Sequence, residues 1–191
     1  ERVERISNLS EEIAKKIGCD PNRAKDAAYI SKADLSSEMV YEFPELQGIM
    51  GTYYAKKAGY AASVSETCKD HYAPLGPSDE VPGSPISTVV ALADKIDTLT
   101  NFWAIEEKPT GSKDPFALRR SALGMIRIII ENDIRISLSE ILALGNKKAD
   151  IEDLKEFIYQ RMKVFLREKE LRHDIIDACL SIDKELSLIH I

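Results

Sequence analysis

The stretch ALADKIDTL, residues 91–99, sets Asp94 and Asp97 one turn apart in an otherwise apolar run, with PISTVV before it and TNFW after. A carboxylate removed from water is costly unless it binds a metal, pairs with a cation or caps a helix. Asp94 thus belongs either to a metal-dependent hydrolytic site or to a contact that only keeps the shape of the molecule. Asp97 is expected to be exposed or to act as a cap. A literal His-Asp dipeptide, His173-Asp174, follows the basic run REKELR. No residues upstream of it have ligand spacing, and Asp174 reads as a first-turn residue of a last helix, where negative charge is favourable.

A second chemistry resides in KPTGSKDPFALRRSALGMIRIIIE, residues 108–131. From Lys108 to Arg135 there are six basic residues (Lys108, Lys113, Arg119, Arg120, Arg127, Arg135) and three acidic ones (Asp114, Glu131, Asp133), in a chain whose formal net charge is −6. Arg120 and Arg127 fall two turns apart on one helical face. The loop PTGSK offers backbone N–H groups, hydroxyls and Lys113 at a helix N-terminus, which suits a phosphate. It lacks the spacing of a P-loop. The competing reading is that Asp114-Pro115 simply caps a helix and the arginines pair with acidic neighbours. Trp103 and Phe116 read as core residues, whereas Tyr53 and Tyr54, beside Ala55-Lys56-Lys57, are ambiguous.

These residues are positioned by helices. No run alternates apolar and polar residues over six positions, no Asn-Gly or Asp-Gly turn occurs, and helical spacing dominates. Val3, Ile6, Leu9, Ile13 and Ile17 form one stripe that stops at Gly18. Asp20 and Pro21 read as N-cap and N1 of a helix extending toward Val40. Further helices are expected from Pro44 to about Lys57, over 61–71, over 85–103, from Asp114-Pro115 onward, and as two or three within 137–184. The clearest of these last carries Leu154, Phe157, Ile158, Met162, Phe165 and Leu166 on one face. Residues 73–85 hold four prolines and two glycines and read as a loop. The fold class is all-α, with an internal seam expected at 105–114.

At 191 residues the chain is long enough for a real core. Its charge excludes a globally basic nucleic-acid binder but leaves room for a local basic face. No window has the roughly 18 apolar residues of a membrane span. Cys19, Cys68 and Cys179 form no CxxC pair, which points to a reducing cytosol rather than a zinc ribbon or disulfide framework. A start at Glu1 and an end in SLIHI suggest an excerpt of a longer polypeptide, without a visible secretory signal.

Four segments in order, AAYISKADL (27–35), EFPELQG (42–48), DHYAP (70–74) and the opening of ALADKIDTL, resemble the skeleton of the HD phosphohydrolase superfamily. In active members the corresponding places read His-Asp, His-Pro, His-His and Ala-Asp, and hold one or two metals that activate water for attack on phosphate esters. Carried over by position, Asp34, His71 and Asp94 remain, but Ala33 precedes Asp34 and Phe43 stands where the His-Pro segment has histidine. A ligand expected before Val3 falls at or beyond the start. The resemblance therefore implies a degenerate site with no catalytic residue and no metal, in which Asp34 pairs with Lys32 or Lys95 and Asp94 bonds backbone groups at a helix junction.

The longer runs KADLSSEMVYEFPELQGIMGTYYAKKAGY, DHYAP, ALADKIDTL and KPTGSKDPFALRRSALGMIRIIIE closely resemble the beta subunits of bacterial two-subunit glycyl-tRNA synthetases, over at least residues 1–135 and more loosely to about 180. That resemblance implies an internal HD-like domain at 1–107, a helical extension at 108–191, and a share in ligating glycine to tRNA(Gly) in the cytoplasm. It implies an alpha subunit as partner in an alpha2beta2 heterotetramer. ATP with Mg would be used by the whole enzyme and no cofactor held by this region. Lys108, Lys113, Arg119, Arg120 and Arg127 become the candidate RNA contacts. Two alternatives remain: an HD-type metal-dependent phosphohydrolase, and a purely structural module.

Overall fold

A computed structural model describes residues 1–172 and 174–176. His173, Cys179 and the part of the expected last helix beyond Ile176 lie outside the described residues. Among the described residues there are helices and no strand, only an isolated bridge between Thr110 and Lys113. The all-α expectation holds. No helix there is long and apolar enough to cross a membrane. Contacts divide the chain into Glu1–Asp94 and Lys95–Ile191, so the boundary falls inside a helix, while the loop at 105–114 lies within the second unit.

In the first unit, α1 (Arg2–Ile17) buries Ile6, Leu9, Ile13 and Ala14 along the expected stripe. It ends at Gly18, whose φ of 76° is the left-handed cap conformation. α2 (Pro21–Ile30) opens as read, with the Asp20 carboxylate accepting from the amides of Asn22 and Arg23. It packs along α1, where Ser7 Oγ donates to the Lys25 carbonyl at 2.8 Å. The helix expected to reach Val40 instead stops at Ile30 and is followed by a 3-10 turn (Ala33–Ser36) and the short α3 (Glu38–Glu42). Ser37 accounts for the restart, since its hydroxyl accepts from the Val40 amide. After a turn at Pro44–Leu46 come α4 (Ile49–Lys57), α5 (Ala62–Ser65) and α6 (Thr67–Asp70), so the helix expected at 61–71 is two single turns.

α7 (Pro85–Ala104) is apolar on nearly every side and carries its first half in the first unit and its second half in the second. Val89 to Ala93 are all fully buried, as an all-round apolar helix requires. The second unit continues with α8 (Leu118–Glu131), α9 (Leu138–Leu142) and α10 (Ile151–Glu168). α10 buries Leu154, Ile158, Met162, Phe165 and Leu166, and the Phe157 ring lies tilted at 51° to that of Trp103 with the ring centres 4.8 Å apart. Trp103 Nε1 donates to Asp153 Oδ2 at 2.7 Å, which satisfies the one polar atom of a ring that is 1% exposed.

The Asp153 carboxyl is held below the usual range by the Lys108 ammonium, 3.0 Å away, and by the Trp103 N–H. A depressed carboxyl contributes stability above its ordinary pKa, and the contribution fades as pH falls through the folded value. We therefore expect denaturant melts of the parent to lose stability at acid pH, and Asp153→Asn to lose less. The difference should stay below about 1 kcal/mol because Asp153 is half exposed.

Candidate functional site

The end of α2 delivers Lys32 into the first unit, and its side chain is 10% exposed. Lys32 Nζ lies 2.8 Å from His71 Nε2, 3.3 Å from the Asp94 carboxylate and 4.6 Å from the centre of the Tyr72 ring. His71 sits at the end of α6 and is fully buried. An ammonium only donates, so His71 Nε2 must accept. Nδ1 then carries the ring proton and donates to the Thr67 carbonyl at 2.9 Å. His71 is thus a neutral imidazole oriented by a backbone carbonyl, the posture of a metal-bound histidine. Asp94 also accepts from Arg2 Nη2 at 3.1 Å. Burial pushes the Lys32 amine below the ordinary lysine range, and the Asp94 charge pulls it back up.

Asp34 points elsewhere. It is 2% exposed in the 3-10 turn, and its Oδ2 accepts from the amides of Gly48 (2.7 Å) and Gly51 (3.0 Å). Both glycines are required by this approach. Gly48 has φ of 79°, and a Cβ there would stand 2.8 Å from the Cys68 carbonyl oxygen. A Cβ on Gly51 would stand 2.9 Å from Cys68 Cβ and 3.1 Å from the Asp34 carboxylate. Burial and the Asp34 charge push the Cys68 thiol up to about 11, so it is an inert packing group.

The structure therefore brings His71 and Asp94 together through Lys32 and leaves Asp34 on backbone amides. The partners expected for the two aspartates are exchanged: Asp94 takes the lysine and Asp34 takes the backbone. Asp97, expected to be exposed or a cap, is 4% exposed and accepts from Asn101 Nδ2 at 2.9 Å. Among the described residues no three His, Cys, Asp or Glu side chains form a metal-holding group. The metal that active HD-type members hold does not fit these residues, because the Lys32 ammonium stands between His71 and Asp94. Sequence reasoning missed Arg2 and the two glycines, although Gly48 and Gly51 were visible in the quoted run.

A cleft of about 510 Å³ shares Tyr72 with this site and is lined also by Pro44, Ile49 and Leu75. Its charged lining is Glu45, Asp70 and Asp79 against Lys69, a negative balance that disfavours phosphate.

In the second unit the basic segment divides by burial. Lys108 is tied to Glu106 (2.9 Å) and Asp153 (3.0 Å), and those bonds raise its pKa. Arg127 is 7% exposed and bonds Glu131 at 2.8 Å, because mid-α8 is buried on almost every side. Arg119 braces the loop by donating to the carbonyls of Gly111 (2.7 Å) and Lys113 (3.4 Å). Lys113 and Arg120 are exposed, and neither has an ion-pair partner among the described residues.

The expected phosphate cradle is differently built. Thr110 and Lys113 bond each other's backbone, and the Asp114 carboxylate already accepts from the first amides of α8, Leu118 (2.8 Å) and Arg119 (3.0 Å). α8 starts at Leu118 rather than at Pro115, after Ala117 in the left-handed conformation (φ 53°). Phe116, expected in the core, is 44% exposed and stacks on Phe102.

Residues 1–181 match the profile of the family described as glycyl-tRNA synthetase beta subunit. Among curated proteins, the glycine–tRNA ligase beta subunit of Ruegeria sp. (strain TM1040) is 59% identical over 182 residues, 95% of this chain and 26% of that protein. Beta subunits of the same name from Paracoccus denitrificans and Dinoroseobacter shibae are 57% and 49% identical, each over 95% of this chain and over 27% and 30% of their own lengths. The chain thus spans between a quarter and a third of these relatives.

Asp34→Ala leaves two buried amides without an acceptor. It should lower unfolding stability by about 2–4 kcal/mol in denaturant melts, whereas Phe43→Ala, at a half-exposed position, should change it by less than about 1 kcal/mol.

Proposed function

The chain belongs to the family of glycyl-tRNA synthetase beta subunits, and from that premise we propose that it is a tRNA-facing and scaffolding region of such a subunit. In this reading it serves ATP-dependent glycylation of tRNA(Gly) in the cytoplasm without housing the adenylation site. An HD-like helical domain at 1–107 is followed by a helical extension at 108–191. An alpha subunit completes the enzyme as an alpha2beta2 heterotetramer. ATP with Mg is used by the whole enzyme, and this region holds no cofactor.

The observation that carries the reading is the exposure of Lys113 and Arg120. Both side chains are exposed and without ion-pair partners among the described residues, on a segment that is basic in an acidic chain. Such groups meet RNA phosphates and 2′-hydroxyls without reading sequence. Arg119 supports them by bracing the loop. Lys108 and Arg127 are committed to internal ion pairs and drop out as leading contacts. The hydrolase alternative is disfavoured because the Lys32 amine stands between His71 and Asp94, two of the donors that a metal would need.

The test is tRNA binding by the full chain with its partner subunit, measured against salt. Lys113→Glu and Arg120→Glu should each weaken binding several-fold, and each should reduce the slope of log K against log salt by about one. Lys108→Gln should leave the slope unchanged. Equal affinity and slope in all variants would move the RNA surface elsewhere.

A further inference from the structure

We propose that the Lys32 amine is a tethered replacement for a metal ion, so that the first unit contains a cage for a primary ammonium instead of a divalent cation. The cage has three walls. His71 Nε2 offers a lone pair at 2.8 Å, the Asp94 carboxylate offers charge at 3.3 Å, and the Tyr72 ring presents its face at 4.6 Å. One carboxylate, one imidazole and one aromatic face suit a monovalent ammonium, which needs acceptors for its N–H bonds and gains from a π surface.

The same walls suit a divalent ion poorly. A hard dication requires several oxygens, and of the residues around the Lys32 amine Asp94 supplies them while also accepting from Arg2 at 3.1 Å. The Arg2 guanidinium competes for the carboxylate and repels a second positive charge. Asp34 Oδ2 is occupied by the amides of Gly48 and Gly51, which leaves Oδ1, buried and without a hydrogen-bond partner, as its one unused oxygen. Ala33 and Phe43 have no lone pair to give.

The exchange is local in sequence. Lys32 immediately precedes Ala33, the position at which the His-Asp pattern calls for a histidine, so the cation is supplied from beside the place where a ligand is missing. His71 keeps the neutral tautomer that a metal would demand because an ammonium demands the same lone pair. A tethered cation is not lost to chelators or dilution. The joint between the end of α2, the end of α6 and Asp94 of α7 is thereby held without any dissolved ion.

Chemical rescue on the full chain tests this, read by hydrogen exchange at the amides of 31–36 and 67–72. In the parent, Mn²⁺, Zn²⁺, chelator and methylammonium should each leave exchange unchanged. In Lys32→Ala those segments should exchange faster. Methylammonium should slow them again by about tenfold, in line with one charge-assisted hydrogen bond, while tetramethylammonium at equal ionic strength should not. Should Lys32→Ala fail to fold, Lys32→Met keeps the stem without the charge and should show the same faster exchange. Stoichiometric Mn²⁺ or Zn²⁺ binding to the parent with slowed exchange at these segments would overturn the proposal. So would parent-like exchange in Lys32→Met, or rescue of Lys32→Ala by tetramethylammonium as effective as by methylammonium.

Discussion

The contact of the Lys32 amine with His71 and Asp94 is the constraint around which the first unit is organised. A fully buried imidazole needs both nitrogens satisfied, and a carboxylate that is mostly buried needs a counter-charge. Lys32 meets both needs from one atom, and Arg2 at the start of α1 meets the remainder of the second. For the lysine to reach, α2 must end at Ile30 instead of running on. The chain then turns through Ala33–Ser36, which is also what aims Asp34 at the amides of Gly48 and Gly51. Two carboxylates of similar sequence context thus acquire opposite electrostatic roles.

Metal-assisted hydrolysis needs a cation with open positions for water. An ammonium on a side chain offers N–H bonds and no coordination position, so the aspartate and histidine beside it serve packing and charge balance.

In the second unit the same residue types are sorted by depth. Arg120 and Arg127 share a face by helical arithmetic, yet α8 sinks into the core between them. One is left at the surface and the other is enclosed against Glu131. Asp114 fills the helix N-terminus that a phosphate would otherwise occupy. The exposed basic surface of this segment is therefore shorter than the run of basic residues suggested. Membership of the beta-subunit family rests on identity along nearly the entire chain and not on this surface.

Helical class, the stripe of α1, the Asp20-Pro21 opening, the apolar α7 and the buried face of α10 were legible in the sequence, because each depends on spacing and caps within a few residues. So was the lack of donor side chains at Ala33 and Phe43, since alanine and phenylalanine carry no lone pairs in any fold. Which partners Asp34 and Asp94 take depended on residues 14 to 92 positions apart. Local pattern carries no information about such distances. The placement of Lys32 between His71 and Asp94 was settled only when packing brought three separate segments together and left one amine to serve them.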